Sequence, residues 1–335
     1  MADEVQQQVE ERLQELYRRH QDLGQAADDV TGYYSSERGH YKPERGDEAG
    51  EQFSVCLVGV DGDVYTAGDH DVPFALQSLS KVFVYGLALE EHGPEEVLRR
   101  VGVKPSGDSF SSLGFDEHTN RPHNPMVNGG ALATTDMVLG EDFDGSFERI
   151  LASLKRYAGN DDLAVDEETF EAELLGVDRN RAIAYLMRSE GMIAGDVEAT
   201  LRLYLRQCAV QVTCRDLAVM AATLANGCVN PLTGERALPL DRVRDVLSVM
   251  YTCGMYDYAG EWAFEVGVPA KSGVSGGILA VVPGKLGIGV FSPGLDRFGN
   301  SVRGTRVCKE ISSSLGVHLF ATEGEDSLLG PATPS

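Results

Sequence analysis

Apolar residues near the N-terminus recur with the spacing of an α-helix. Val5, Val9, Leu13, Leu16 and Tyr17 fall on one helical stripe, because residues three or four positions apart lie on the same face of a helix. The chain is therefore predicted to open with an amphipathic helix. The glycines and charges of the following run, RGHYKPERGDEAGEQ, predict a connecting loop.

The next run, FSVCLVGVDGDVYTAG, has the residue types of two β-strands on either side of Asp61-Gly62. An Asp-Gly pair in that position predicts a tight antiparallel hairpin with a type I′ turn. After the hairpin the apolar spacing becomes helical, beginning near Gln77. A glycine followed by a proline, Gly93-Pro94, predicts the end of this helix.

Between about residues 94 and 258 the pattern is mainly helical, and beyond Val266 it becomes β-rich again. Helical spacing is found in the runs PEEVLRRVG, FERILASLKRYA, VDRNRAIAYLMRSEG, VEATLRLYLRQCAV and CRDLAVMAATLANG. The run VPAKSGVSGGILAVVPGKLGIGVFSP predicts about three strands separated by glycine and proline turns. A last helix is predicted from about Ser301 to Leu315, followed by a polar tail that is predicted to be flexible.

Strands near both ends of the chain, with a helical block between them, predict an α+β fold. It consists of one antiparallel sheet flanked by helices, with an inserted helical lobe. We expect a single domain over about 1–320, divided into a sheet lobe of about 1–93 and 259–320 and a helical lobe of about 94–258. The flexible tail covers 321–335, and the cleft is expected between the two lobes.

The charge of the chain excludes one class of partner. The 52 acidic and 29 basic residues give a formal net charge of −23, which argues against binding to nucleic acid or to anionic membrane surfaces. Such a surplus repels itself in dilute buffer and is screened by salt, so a salt-tolerant protein is expected.

Composition also predicts the compartment and the state of the cysteines. The N-terminus lacks the apolar core of a secretory signal, and no window approaches eighteen apolar residues, which predicts a cytoplasmic protein. The six cysteines are scattered without C-x-x-C spacing, so they are predicted to be free buried thiols. Neither a metal site nor another cofactor is predicted.

Two short motifs carry candidate chemistry. Ser78 and Lys81 form an S-x-x-K pair where the helix after the hairpin begins, and Lys271-Ser272-Gly273 lies on a strand that could border the same cleft. In serine acyltransferases, a serine one turn before a lysine supplies the nucleophile and the base. The alternative for Lys81 is a side chain that extends from a helix end into water. The two motifs, in this order and on these elements, favour the first interpretation.

S-x-x-K followed downstream by K-[ST]-G resembles the β-lactamase and penicillin-binding-protein superfamily. Longer stretches are similar to the serine-dependent glutaminases: QSLSK, PHNPMVNGGA, DRNRAIAYLM, MAATLANGCVNPLTGE, CGMYDYAGEWAFEVGVPAKSGVSGGILAVVPG and SPGLDRFGNSVRG. They extend from about residue 50 to 315. The resemblance implies the β-lactamase-like fold and the hydrolysis of L-glutamine to L-glutamate and ammonia through a serine acyl-enzyme.

The resemblance implies a catalytic role for four positions. Ser78 would be the nucleophile, Lys81 its base, and Tyr256 a proton relay. The backbone N–H groups of Ser78 and Val274 would hold the oxyanion of the tetrahedral intermediate. Taken alone, the sequence around Tyr256 favours a core tyrosine, and it is the resemblance that favours the catalytic role.

The resemblance also implies the substrate contacts, which include Ser78, Tyr256 and Val274 again together with Asn128, Glu173, Asn180 and Tyr204. Glu173 is the natural partner of the substrate's α-ammonium group, because a desolvated charge must be paired. An N-terminal tyrosine completes the set in relatives, and Tyr33 fits best, with Tyr34 and Tyr41 as the alternatives. Family members are commonly homodimers or homotetramers, so a homo-oligomer is expected.

Two other functions remain as alternatives. A β-lactamase or peptidoglycan peptidase would share Ser78 and Lys81, but the chain contains no S-x-N sequence and no export signal. A non-enzymatic sensor would acylate the serine and stop, and it would release no ammonia from glutamine. Activation by phosphate and the preference for glutamine over asparagine stay open.

Overall fold

The computed structural model describes residues 2–22, 52–106 and 114–321. Its helices and strands, in chain order, are α1 (Ala2–Gln21), β1 (Ser54–Gly59), β2 (Val64–Gly68), β3 (Phe74–Ala75), α2 (Ser80–Arg100), α3 (Asn128–Val138), α4 (Phe143–Ala158), α5 (Glu167–Leu175), α6 (Asp178–Ser189), α7 (Val197–Cys208), β4 (Gln211–Val212), α8 (Cys214–Ala225), α9 (Leu240–Cys253), α10 (Ala259–Glu265), β5 (Ala270–Ser272), β6 (Gly277–Val282), β7 (Leu286–Phe291) and α11 (Val302–Leu315). Short 3₁₀ turns cover Gln77–Leu79 and Tyr256–Tyr258.

The sheet joins strands from the two ends of the chain. Its order is β2-β1-β7-β6-β5, and each neighbouring pair is antiparallel. β1 pairs along its whole length with β7, from Ser54 opposite Phe291 to Gly59 opposite Leu286. This arrangement confirms the predicted α+β fold with an antiparallel sheet flanked by helices.

Side chains of the sheet alternate between two hydrophobic cores, because successive residues of a strand point to opposite faces. On one face Val55 and Leu57 pack with residues of α1, α10 and α11, including Trp262. On the other face Cys56 and Val58 belong to the larger core that contains α8 and the remaining helices.

Helix α8 lies directly on the sheet, in contact with β1, β6 and β7. Eleven of its twelve residues are buried, all but Arg215, so α8 is enclosed by the sheet and the other helices. Glycines of β7 allow the close approach. A Cβ added at Gly287 would lie 2.1 Å from Ala222 N, and one added at Gly289 would lie 2.5 Å from Cys214 O.

The predicted hairpin is present, but its turn type was wrong. A type I′ turn needs positive φ at both central residues, and of the pair Asp61-Gly62 only Gly62 has it, at 95°. Gly59 N–H donates to Asp63 O (2.8 Å), so three residues rather than two lie between the strand ends. The extra residue, Val60, donates its N–H to Lys285 O at the turn after β6, so the neighbouring strands determine the loop length.

The predicted helix boundaries agree with the structure at several places. Within the bounds of α2, Gly93 is non-helical (φ 77°, ψ 158°), which breaks the helix where the glycine–proline pair indicated. The runs assigned to α4, α6, α7, α8 and α11 are helical. The spacing did not single out α3, α5, α9 or α10. The lobe boundaries stay a prediction, and the tail after Ala321 lies outside the described residues.

We expect Gly287→Ala to lower the free energy of unfolding by about 2–3 kcal/mol, because the added methyl group overpacks the contact between α8 and β7. The measurement is the urea midpoint of the purified protein. Gly294→Ala is the matched control, since a Cβ there would meet nothing within 4 Å. Equal midpoints for the two variants would contradict the close packing of α8 on the sheet.

Candidate active site

Both sequence motifs meet at the turn that precedes α2. Ser78 lies in the turn Gln77–Leu79, and its side chain is 6% exposed. Gly273, at the end of the K-S-G motif, packs against this turn, because a Cβ added to it would lie 3.2 Å from Leu79 Cγ and 3.4 Å from Leu76 O. The structure therefore brings Ser78 and the start of the loop after β5 together, as the order of the motifs predicted.

The backbone is strained on both sides of the site. Gln77, directly before Ser78, has φ of 51°, and Tyr256 has φ of 57°. Non-glycine residues rarely occupy this left-handed region, and such strain of about 1–3 kcal/mol persists only where the surroundings hold it. Of the four described non-glycine residues with positive φ, Gln77 and Tyr256 are the two that lie at the candidate site.

Lys81 contacts the hydroxyl of Ser78 from inside the protein. Its Nζ donates to Ser78 Oγ (3.1 Å) and to Asn128 Oδ1 (2.7 Å). The side chain is fully buried, so the alternative of a lysine that extends into water is excluded. Burial lowers the pKa of Lys81 from 10.5 to about 8, because desolvation disfavours the charged amine. Near neutral pH a fraction of the amine is therefore neutral and able to accept a proton.

A second buried lysine approaches from the sheet. Lys271 Nζ donates to Ser272 O (2.5 Å) and lies 4.1 Å from the centroid of the Tyr256 ring. Tyr256 Oη donates to the same carbonyl oxygen at 2.9 Å. Burial, and then the nearby charge of Lys81, holds the pKa of Lys271 well below its usual range. Protonation of one lysine therefore opposes protonation of the other.

Asn128, the first residue of α3, connects Lys81 to the helical residues of the site. Its Oδ1 accepts the hydrogen bond of Lys81 and a longer one from Tyr204 Oη (3.4 Å). Its Nδ2 donates to Asn180 Oδ1 at 2.9 Å. Burial raises the pKa of Tyr204 well above its ordinary value, so this hydroxyl keeps its proton. The structure thus brings Asn128, Asn180 and Tyr204 together.

Glu173 lies on the other side of Ser78, near the end of α5. It is half-buried, and its Oε1 accepts a hydrogen bond from Gln77 Nε2 (2.9 Å). Burial raises the pKa of Glu173, and the hydrogen bond from Gln77 opposes that shift. Among the described residues no lysine, arginine or histidine pairs with this carboxylate, which leaves its negative charge for a cationic group of a ligand.

Two backbone amides complete the arrangement. Val274 lies in a turn in which Gly273 N–H donates to Gly277 O and Gly276 N–H donates to Gly273 O, each at 2.9 Å. Within residues 2–22, 52–106 and 114–321, neither Ser78 N–H nor Val274 N–H has an acceptor. Both amides are thus able to bind a ligand oxygen. Tyr33, with its alternatives Tyr34 and Tyr41, lies outside the described residues.

Sequence reasoning missed the role of Gln77 in the site. The hydrogen bond from Gln77 to Glu173 joins residues 96 positions apart, and no local pattern indicates such a contact. The glutamine stands in the quoted stretch QSLSK, which is the one signal that could have pointed to it. Lys271 was noticed as part of a motif but was given no contact with Tyr256.

Metal ligands and membrane spans were also sought in the described part of the chain. Its histidine, cysteine, aspartate and glutamate side chains form no group of three that could hold a metal ion. None of its helices combines the length and the apolar character needed to cross a bilayer.

Comparisons with known proteins agree with each other. The family model for glutaminases matches residues 38–320. A glutaminase from Trichormus variabilis is 57% identical over 268 residues, which are 80% of this chain and 80% of the relative. A solved structure described as a probable glutaminase has a TM-score of 0.85 at 39% identity, covering 96% of this chain and 100% of its own. A Bacillus glutaminase solved in the presence of 4.3 M NaCl has a TM-score of 0.82 at 33% identity, over 92% and 99% of the two chains.

We expect Lys81→Met to stabilise the fold at neutral pH by about 1–3 kcal/mol. The shift of the lysine pKa from 10.5 to about 8 corresponds to about 3 kcal/mol, from which the two lost hydrogen bonds subtract. The unfolded chain binds this proton below about pH 10.5, whereas the folded state binds it only below about pH 8. The wild type therefore loses free energy of unfolding as the pH falls from 10.5 to about 8, and the loss is constant at lower pH.

Urea midpoints of the wild type and Lys81→Met, measured from pH 7 to pH 10, check this expectation. The difference should shrink as pH rises above about 8. Lys309→Met is the matched control, because the side chain of Lys309 is 53% exposed and its removal should change stability little. A Lys81→Met protein less stable than the wild type at pH 7 would contradict the burial of an uncompensated amine.

Proposed function

Because this chain belongs to the glutaminase family, and is a hydrolase that acts on an amide bond, we propose that it cleaves L-glutamine through an acyl-enzyme on Ser78. The contact that carries this proposal is the hydrogen bond from Lys81 Nζ to Ser78 Oγ at 3.1 Å. A buried amine with a pKa of about 8 is suited to take the proton of a serine hydroxyl.

In the first half of the reaction, Ser78 Oγ attacks the side-chain amide carbon of glutamine while neutral Lys81 accepts the hydroxyl proton. The negative charge on the former carbonyl oxygen is held by the N–H groups of Ser78 and Val274. The C–N bond then breaks, and the proton passes to the leaving nitrogen, so ammonia departs. The phenol of Tyr256, adjacent to Ser272 O, would relay this proton.

In the second half, water attacks the ester formed on Ser78. Lys81 takes a proton from the water and returns it to Ser78 Oγ as the ester bond breaks, which releases L-glutamate and restores the free serine. Burial, and then the charge of a protonated Lys81, holds the pKa of Lys271 well below its usual range, so Lys271 stays neutral beside the base.

The substrate's charged groups would bind around this centre. Glu173 has no cationic partner among the described residues and would pair with the α-ammonium group. Asn128, Asn180 and Tyr204, which are joined by hydrogen bonds, would bind the carboxylate or the side-chain carbonyl oxygen. Tyr33 would complete the set from the N-terminal segment.

The location, the assembly and the salt response of the protein are proposed separately from its chemistry. A cytoplasmic homodimer or homotetramer that binds L-glutamine stays our prediction. Salt tolerance is supported by the net charge of −23, since salt screens repulsion between exposed charges. The similar Bacillus glutaminase solved in 4.3 M NaCl is consistent with this proposal.

We expect Ser78→Ala to lower kcat/KM for glutamine more than about 100-fold, or about 2.7 kcal/mol, because the nucleophile is lost. Ammonia release is the measurement. Ser312→Ala is the matched control, because Ser312 is also buried but lies on α11 and donates to Val266 O. A Ser78→Ala enzyme with near wild-type activity would disprove the nucleophile, and a wild type that releases no ammonia would favour the non-enzymatic sensor.

The pH dependence should report the protonation of Lys81. Because the base must be neutral, we expect kcat/KM to rise about tenfold per pH unit below the pKa of about 8 and to level off above it. Ammonia release at low glutamine concentration, measured from about pH 6 to 8.5, checks this. A profile that is flat over this range would contradict the assignment of Lys81 as the base.

A further inference from the structure

The proposed mechanism does not use the hydrogen bond between Gln77 and Glu173. Gln77 Nε2 donates to Glu173 Oε1 at 2.9 Å, across 96 positions of sequence. Among the described residues it is the one hydrogen bond made by the Glu173 carboxylate. The position of this carboxylate therefore depends on a residue that directly precedes Ser78.

Helix α5 by itself holds Glu173 weakly. Only Thr169 and Phe170 of its nine residues are buried. The polar anchors of the helix lie at its other end, where Gln211 Nε2 donates to Asp166 Oδ2 (2.9 Å) and Arg206 pairs with Glu167 (2.8 Å). Leu175, at the last position of α5, is 88% exposed. Leu174 packs against the large core, so Gln77 supplies the side-chain hydrogen bond that orients the Glu173 carboxylate rather than the anchor of the helix end.

Gln77, in contrast, is held firmly. Its side chain is 7% exposed, and its carbonyl oxygen accepts a hydrogen bond from Ser80 Oγ at 2.8 Å. The preceding residue, Leu76, donates its N–H to Val210 O at 2.8 Å. Gln77 has a left-handed backbone, with φ of 51°, so the chain changes direction at this residue instead of continuing as a helix. One rigid turn therefore carries both Ser78 and the donor that orients Glu173.

The chemistry of an amide suits this task. A neutral N–H₂ group orients a carboxylate without cancelling its charge, whereas a lysine or arginine in its place would form an ion pair. The charge of Glu173 then remains available for a cationic group of the ligand. The same contact sets the distance between that group and Ser78.

We propose that Gln77 is a positioning residue that fixes the Glu173 carboxylate relative to Ser78, and that it thereby selects amide substrates that carry an α-ammonium group. The proposal rests on the proposed function, since it takes Glu173 as the partner of that ammonium group. It assigns to Gln77 an effect on the recognition of the amine rather than on the chemical step.

The test compares two ligands that differ only in the amine: L-glutamate, which carries it, and glutarate, which lacks it. Their affinities are measured by calorimetry and as competitive inhibition of ammonia release. Gln77→Met removes the donor at similar side-chain length. We expect it to weaken L-glutamate binding at least about tenfold, the size of a lost hydrogen bond to a charged group, and to leave glutarate binding unchanged. KM for glutamine should rise by a similar factor, with kcat within about threefold.

The matched control is Gln211→Met, which removes the same kind of donor from the opposite end of α5. We expect it to leave the ratio of the two affinities as in the wild type. Gln77→Asn is a second variant, because asparagine accepts the left-handed backbone readily but is one methylene shorter. It should show the same selective loss, and urea midpoints confirm that each variant is folded.

A double variant separates positioning from an independent role. If Gln77 acts through Glu173, adding Gln77→Met to Glu173→Gln should change L-glutamate affinity by less than about twofold. Full additivity, an equal loss of L-glutamate and glutarate, or no loss at all would overturn the proposal. A failure of the proposed function would be seen differently, as absence of ammonia release by the wild type whatever stands at position 77.

Discussion

The amine of Lys81 is buried, no carboxylate in the described part of the chain pairs with it, and the residues around it meet that constraint. Two neutral oxygens, Ser78 Oγ and Asn128 Oδ1, accept its hydrogen bonds. These two oxygens come from the turn before α2 and from the first residue of α3, which lie close together. Tyr204 of α7 donates to the same asparagine oxygen. Because burial disfavours the charged amine, its neutral form is populated near physiological pH. Three helices thus surround one reactive nitrogen.

The sheet contributes a second buried amine to the site. Lys271 is fully buried on β5, and a carbonyl oxygen and the face of Tyr256 are its neighbours. Since the charge of either lysine opposes that of the other, the helices and the sheet are coupled electrostatically at the place where they meet. Tyr256, whose backbone is left-handed, places its ring over this amine while its hydroxyl donates to Ser272 O.

Residue spacing predicted helices and strands that depend on nearby residues, and it failed where contacts join residues far apart in the sequence. The stripe of α1, the strands of the sheet and the break at Gly93 follow from spacing and turn residues. The turn after β1 was mistaken because Lys285, far along the chain, accepts the hydrogen bond of Val60. Spacing predicted that Ser78 and Lys81 are neighbours, and the resemblance supplied Asn128, Glu173, Asn180 and Tyr204. The link from Gln77 to Glu173 arises only when α5 packs beside the turn, so no single stretch of sequence contains it.

The pairing of β1 with β7 has a consequence for the order in which the molecule forms. Gly59 lies opposite Leu286, so most of the chain must leave the ribosome before the central pair of the sheet can close. Pairings between such distant residues make folding slow, and they leave strand edges exposed in the meantime. The large negative charge keeps unfinished chains apart during that interval. The surroundings of Lys271 on β5 are therefore among the last parts of the protein to form during synthesis.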